Sequence, residues 1–173
     1  MSYALEVLSP KYRVSVLFYN PNIMPRDEFD KRSAEFSKLF AAAHYPNHVE
    51  FQLYRHDRES FAETAERYQN EPEGGRRCRE CFYIRLEKTA SLAKSQKHDY
   101  FATALTVSPH KNAALINDIG SEVSQRHQIE YIASDFKKQN GYKRSVELSK
   151  LYGLYRQNYC GCWPHFAKKG EGV

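Results

Sequence analysis

A run of apolar residues at 14–19, VSVLFY, ends against Asn20-Pro21-Asn22, and beyond it the apolar period changes: Phe29, Phe36, Phe40 and Ala43 fall on one helical face, opened by Pro25, Asp27 and Glu28. This switch from strand period to helix period recurs along the chain and is the strongest constraint on its fold. Val49, Phe51 and Leu53 alternate with polar neighbours as a second, less buried strand; Tyr100–Val107 reads as a third and Ile129–Ala133 as a fourth. Amphipathic helices fall between them. One carries Phe61, Ala65 and Tyr68, one Phe82, Leu86, Ala90 and Ala93, and one Ala113, Ile116, Gly120 and Val123, with Ser108-Pro109 as its expected cap and first residue. A last helix is expected from Ser145 to Leu151, and Ala4, Leu5 and Leu8 have the spacing of a helix stopped by Ser9 and Pro10.

Strands alternating with helices specify an α/β fold, a three-layer sandwich with a mainly parallel sheet and right-handed crossovers. In such a sheet the run at 14–19 is expected to be buried on both faces. Residues 1–166 are read as a single domain and 167–173 as a polar tail. Ligands of parallel sheets gather at the carboxyl ends of strands, so Asn20–Asn22, Thr106–Lys111 and Asp135–Lys138 are candidate walls of a pocket.

The chemistry is concentrated in the cysteines. All four stand in two close pairs: Cys78 and Cys81 as Cys-x-x-Cys within GGRRCRECFYIRL, and Cys160 and Cys162 as Cys-x-Cys within YRQNYCGCW. The loop QNEPEGG at 69–75 delivers the first pair to a helix N-terminus, where the dipole favours thiolate. Four thiols suit a tetrahedral zinc site, yet a one-residue spacing is unusual for zinc and better suited to a strained, easily reduced disulfide. An iron-sulfur cluster also takes four thiolates and begins from Cys-x-x-Cys. The residues alone leave these readings open. Arg76, Arg77 and Arg79 around the first pair would stabilise thiolates or bind phosphate. The histidines are scattered, and His110, beside Lys111, is the one that merits a test.

Composition narrows the setting. The net charge of +5 permits a polyanionic partner, and 13 Tyr with 10 Phe offer rings for stacking on unpaired bases. The start has no basic and apolar pattern of a secretory signal, and no stretch is apolar enough to cross a bilayer, so a cytoplasmic protein with reduced cysteines is expected.

FYNPNIMPRDEF (18–29), GRRCRECFYIRL, FATALTVSPHKN (101–112) and SDFKKQNGYKRSVELSKLYGLYRQNYCGC (134–162) together resemble the cobalamin-independent epoxyqueuosine reductase family, the QueH type, over nearly the whole chain. The resemblance implies a fold similar to the adenine nucleotide alpha hydrolase (HUP, Rossmann-like) domains. It implies reduction of epoxyqueuosine at the wobble position of the tRNA anticodon, the last step of queuosine synthesis. It further implies that Cys78 and Cys81 are ligands of an iron-sulfur cluster of the 4Fe-4S type, and that Cys160 and Cys162 form a redox-active disulfide. An additional iron is left open, and the electron donor is unidentified. Family members begin with a strand ending in adjacent cysteines; here that first strand and motif are expected to be missing, which would leave the cluster ligands incomplete and impair activity. Arg76, Arg77, Lys111, Lys137, Lys138, Arg144 and Arg156 are candidate tRNA contacts, Asp135 a candidate for orienting substrate, and Tyr155, Tyr159 and Trp163 candidate stacking rings. The alternatives are a zinc-bearing nucleic-acid-binding protein without catalysis, with all four cysteines on one metal, and a simple thiol-disulfide oxidoreductase.

Overall fold

A computed structural model describes residues 1–162, an α/β fold of short parallel strands and helices. In chain order the elements are α1 (Ser2–Leu8), β1 (Val14–Phe18), α2 (Arg26–Ala42), β2 (Val49–Leu53), α3 (Glu59–Arg67), α4 (Arg76–Ser95), β3 (Tyr100–Phe101), a 3-10 turn (Leu105–Val107), α5 (Ala113–His127), β4 (Glu130–Tyr131) and α6 (Gly141–Leu151). Trp163, His165 and the tail at 167–173 lie outside the described residues.

The strands form two parallel pairs. β1 pairs with β2 from Val14↔Val49 to Phe18↔Leu53, and β3 pairs with β4 through Tyr100↔Glu130 and Phe101↔Tyr131. Among the described residues no ladder joins the two pairs. This corrects the expectation for β1, which is half-buried along most of its length instead of enclosed on both faces. One face is covered by α2: Phe18 packs against Phe29 and Phe36 at ring distances of 5.5 and 5.2 Å, and Phe51 of β2 stacks on Phe40 at 4.6 Å.

The main core joins α4 to α5. Cys78, Phe82, Leu86, Ala90 and Ala93 recur every three or four residues along α4 and meet Ile116, Ile119 and Val123 of α5, with Phe101 and Ile129 closing the cluster. Ala90, Ile116, Ile119 and Val123 are wholly inaccessible to solvent. Burying an aliphatic side chain of this size contributes about 1.5–3 kcal/mol, so this helix pair anchors the element that carries the first two cysteines.

Polar side chains decide where the structure departs from the apolar pattern. The third strand stops at Phe101 because the Leu105 N–H donates to Thr103 Oγ1 (3.2 Å), turning the chain into the 3-10 helix. Thr106, fully buried, then lies 3.0 Å from Ser134 Oγ, tying the segment after β3 to the segment after β4. Helix α5 does not start at Ser108-Pro109. Its cap is Asn112, whose side chain accepts from the Leu115 N–H at 3.2 Å. Helix α6 begins at Gly141, four residues before the expected Ser145, with Asn140 in a left-handed conformation ahead of it.

Candidate thiol site

The two cysteine pairs, far apart in sequence, meet at one small cavity of about 20 Å³. One wall is α4, which presents Arg77, Cys78, Cys81, Phe82 and Arg85. Since α4 begins at Arg76, both cysteines stand inside the helix and not in the loop before it. The opposite wall is the loop bearing Cys160 and Cys162, with Asn22, Phe61 and Lys111 completing the lining. Cys81, Cys160 and Cys162 share an apolar cluster with Phe61, Ala65 and Ile84, so three sulfurs pack against one side chain set from α3 and α4.

Backbone pairing fixes the second thiol pair. Cys162 forms an antiparallel bridge with Ile23, and the Met24 N–H donates to the Gly161 carbonyl at 2.9 Å. The segment leaving the carboxyl end of β1 thereby carries the Cys-Gly-Cys loop as a neighbour. Asn20–Asn22 and Thr106–Lys111 do supply cavity walls, through Asn22 and Lys111. Asp135–Lys138 does not line it: Asp135 pairs with Lys137 (2.7 Å) and Lys138 (3.6 Å) instead.

The four thiols differ in environment. Cys81 is held up to about 11 by burial, which outweighs the opposing pull of Arg85. The expected helix-terminus activation therefore does not reach it. Cys78 accepts a hydrogen bond from the Gly74 N–H at 3.2 Å. The neighbouring Cys162 holds Cys160 well below the ordinary thiol range, with Lys111 assisting, while Cys160 and burial push Cys162 up. Of the two, Cys160 is the more acidic thiol. Two polar atoms on cavity-lining residues, Asn22 Oδ1 and Arg77 Nε, are buried without a partner among the described residues.

The arginines divide by burial. Arg77 is 6% exposed, and its guanidinium donates to the carbonyls of Tyr68 (2.9 Å) and Glu71 (2.6 Å), so it braces the loop before α4. Arg76 is exposed. Arg144 is engaged by Glu6 at 2.8 Å, joining α6 to α1, and Arg156 donates to the Ser145 carbonyl (3.3 Å) and Ser149 Oγ (3.2 Å). Tyr155 and Tyr159 each have a cation over the ring, Lys31 at 3.5 Å and Arg32 at 5.2 Å. His110 does not line the cavity.

A polar seam on α2 had no counterpart in the sequence reading, which followed that helix by its phenylalanines. Lys38 donates to the Gly153 carbonyl, Glu35 accepts from the Tyr155 N–H at 2.8 Å, and Arg32 reaches the carbonyls of Cys160 (2.9 Å) and Tyr159 (3.3 Å). Arg85 was also missed, although it falls four residues after Cys81 and eight after Arg77, on the same helical face.

The family model described as Epoxyqueuosine reductase QueH matches residues 1–169. The chain is 43% identical to an epoxyqueuosine reductase QueH of Streptococcus pyogenes serotype M1 over 175 aligned positions, covering 99% of this chain and 68% of that relative. It is 37% identical to the Staphylococcus epidermidis protein of the same name, covering 99% and 73%, and 38% identical to the Thermotoga maritima one, covering 84% and 75%. With its thiol pairs gathered at one cavity of an α/β fold, the chain belongs to the QueH family of epoxyqueuosine reductases and is an oxidoreductase.

Proposed function

We propose that the chain reduces epoxyqueuosine to queuosine in tRNA, at the anticodon wobble position, with Cys160 and Cys162 as the redox dithiol and Cys78 with Cys81 as thiolate ligands of an iron-sulfur cluster. The observation that carries this reading is the meeting, at one cavity, of a helical thiol pair and a loop thiol pair registered by backbone. Unequal pairs suit separate roles.

The fit to a cluster is that of half a ligand set. Cys78 and Cys81 are three residues apart on α4 and line the same cavity, and the Gly74 N–H already donates to Cys78 Sγ, as hydrogen bonds to cluster sulfurs do. Among the described residues, no group of three or more His, Cys, Asp or Glu side chains is gathered as a metal would require. A cluster, when bound, supplies single electrons at a potential tuned by charge and hydrogen bonding.

Removing the epoxide oxygen as water consumes two electrons and two protons and leaves a carbon–carbon double bond; oxidising the Cys160 thiolate with the Cys162 thiol to a disulfide releases two electrons and one proton, and solvent supplies the second proton. Cys162 holds one of those protons beside Cys160. Lys111 and Arg85 place positive charge on the cavity wall, and Phe61 and Phe82 limit water there. The net charge of +5 and the exposed Arg76 and Arg79 favour a polyanion such as tRNA.

The test is conversion of epoxyqueuosine-bearing tRNA, read by nucleoside mass spectrometry under anaerobic conditions, alongside iron, acid-labile sulfide and zinc analysis. Cys160→Ser should lose conversion while keeping its fold and tRNA binding. Retained turnover would remove the redox role, and stoichiometric zinc without iron would favour the zinc-bearing nucleic-acid-binding protein.

A further inference from the structure

We infer that Arg32 is a positioning residue for the Cys160–Cys162 pair: its guanidinium, anchored on Glu28, grips the backbone on the N-terminal side of the Cys-Gly-Cys turn and keeps the two sulfurs facing each other. The inference rests on the redox reading of that pair.

All three nitrogens of the fork are used. Nε meets Glu28 Oε1 at 2.6 Å, Nη1 donates to the Cys160 carbonyl at 2.9 Å and Nη2 to the Tyr159 carbonyl at 3.3 Å. The ion pair is nearly enclosed, with side-chain exposures of 10% for Arg32 and 9% for Glu28. Gly161, between the cysteines, has φ +83°, and a Cβ there would lie 2.8 Å from Arg32 Nη2, so the turn is seated directly on the guanidinium. On the other side the turn is held by the Met24 N–H. A planar five-donor fork can serve a carboxylate and two carbonyls together; an ammonium cannot.

Conversion of the dithiol to the disulfide forms one S–S bond and gives up two protons and two electrons, which a redox buffer of oxidised and reduced dithiothreitol accepts in the same number. The equilibrium depends on the effective concentration of one thiol at the other, and a turn freed from its clamp lowers that concentration.

The experiment poises the full chain anaerobically in dithiothreitol buffers and measures, by alkylation and mass spectrometry, the disulfide fraction in the peptide holding Cys160 and Cys162. Arg32→Gln is expected to move the equilibrium toward the dithiol about tenfold, or about 30 mV, with Arg32→Lys recovering part of the shift and far-ultraviolet circular dichroism showing retained fold. If Arg32→Gln fails to fold, Gly161→Ala, whose methyl presses on the same guanidinium, is read by the same criterion. An equilibrium within twofold of the unsubstituted chain, or a shift toward disulfide, overturns the inference alone. An unsubstituted chain that forms no Cys160–Cys162 disulfide at any ratio overturns the redox reading and this inference with it.

Discussion

Cys162 and Ile23 form an antiparallel bridge, so the last thiol of the chain is registered by backbone to the loop that leaves its first strand. The Met24 N–H to Gly161 carbonyl bond extends that register to the residue between the cysteines. Gly161 is left-handed at φ +83°, a conformation that costs a side chain about 1–2 kcal/mol. Gly161→Ala pays that strain and also presses its methyl on Arg32 Nη2. The expected outcome is a loss of about 2–3 kcal/mol in urea unfolding; an unchanged midpoint would show that the turn relaxes freely.

The adjacent Arg76 and Arg77 should separate cleanly. Arg77 is buried and bonded to the Tyr68 and Glu71 carbonyls, and hydrogen bonds from a charged group contribute about 1.5–3 kcal/mol each. Losing both bonds, Arg77→Met is therefore expected to lower stability by about 3 kcal/mol or more. Arg76→Ala is expected to leave stability within about 0.5 kcal/mol and, on the proposed function, to weaken tRNA binding evenly across sequences with a smaller salt dependence. Unfolding curves and tRNA titrations at two salt concentrations check both halves.

The α/β class was legible because apolar period is a local signal: the stripe on α4 and the alternation in β2 follow from spacing alone. The two close cysteine pairs stood out for the same reason, and the fold brings both to one cavity. Strand lengths were not legible: the segments after β3 and β4 are tied by Thr106 and Ser134, which are 28 positions apart in sequence. The grip of Arg32 on residue 160 spans 128 positions, and an arginine on a polar helix face reads as solvated until its partner is known. The burial of Arg77 was equally hidden: within a basic turn it reads as solvated, and only the fold shows it bonded to the Tyr68 and Glu71 carbonyls.

Tyr131 offers a pH test of the second strand pair. Its hydroxyl donates to Asn117 Oδ1 at 3.1 Å, and burial raises its phenol from 10.0 to about 12. A group raised in the folded state contributes its full stability below the unfolded value and loses it as pH climbs through the folded one. Stability should therefore fall between pH 10 and 12 through this residue, and Tyr131→Phe should flatten that part of the profile while losing the hydrogen bond at neutral pH. Urea unfolding at stepped alkaline pH gives the comparison; parallel profiles for the two proteins would assign the alkaline loss to other tyrosines.

Removing thiols one at a time distinguishes two roles from one shared metal. Cys78 and Cys81 sit on a helix, packed in two buried clusters, and Cys160 and Cys162 sit on a turn held by hydrogen bonds. If the pairs have separate roles, Cys78→Ser lowers iron and acid-labile sulfide after anaerobic reconstitution and loses turnover, because a serine oxygen is a harder donor than thiolate. Cys160→Ser keeps the iron of the unsubstituted chain and still loses turnover, because no disulfide forms with one sulfur. A single four-cysteine zinc site makes the opposite statement: both substitutions lower bound metal alike, each removing one of four ligands. Metal content and turnover measured on the same two preparations decide between them, and equal metal loss in both would refute the separation of roles.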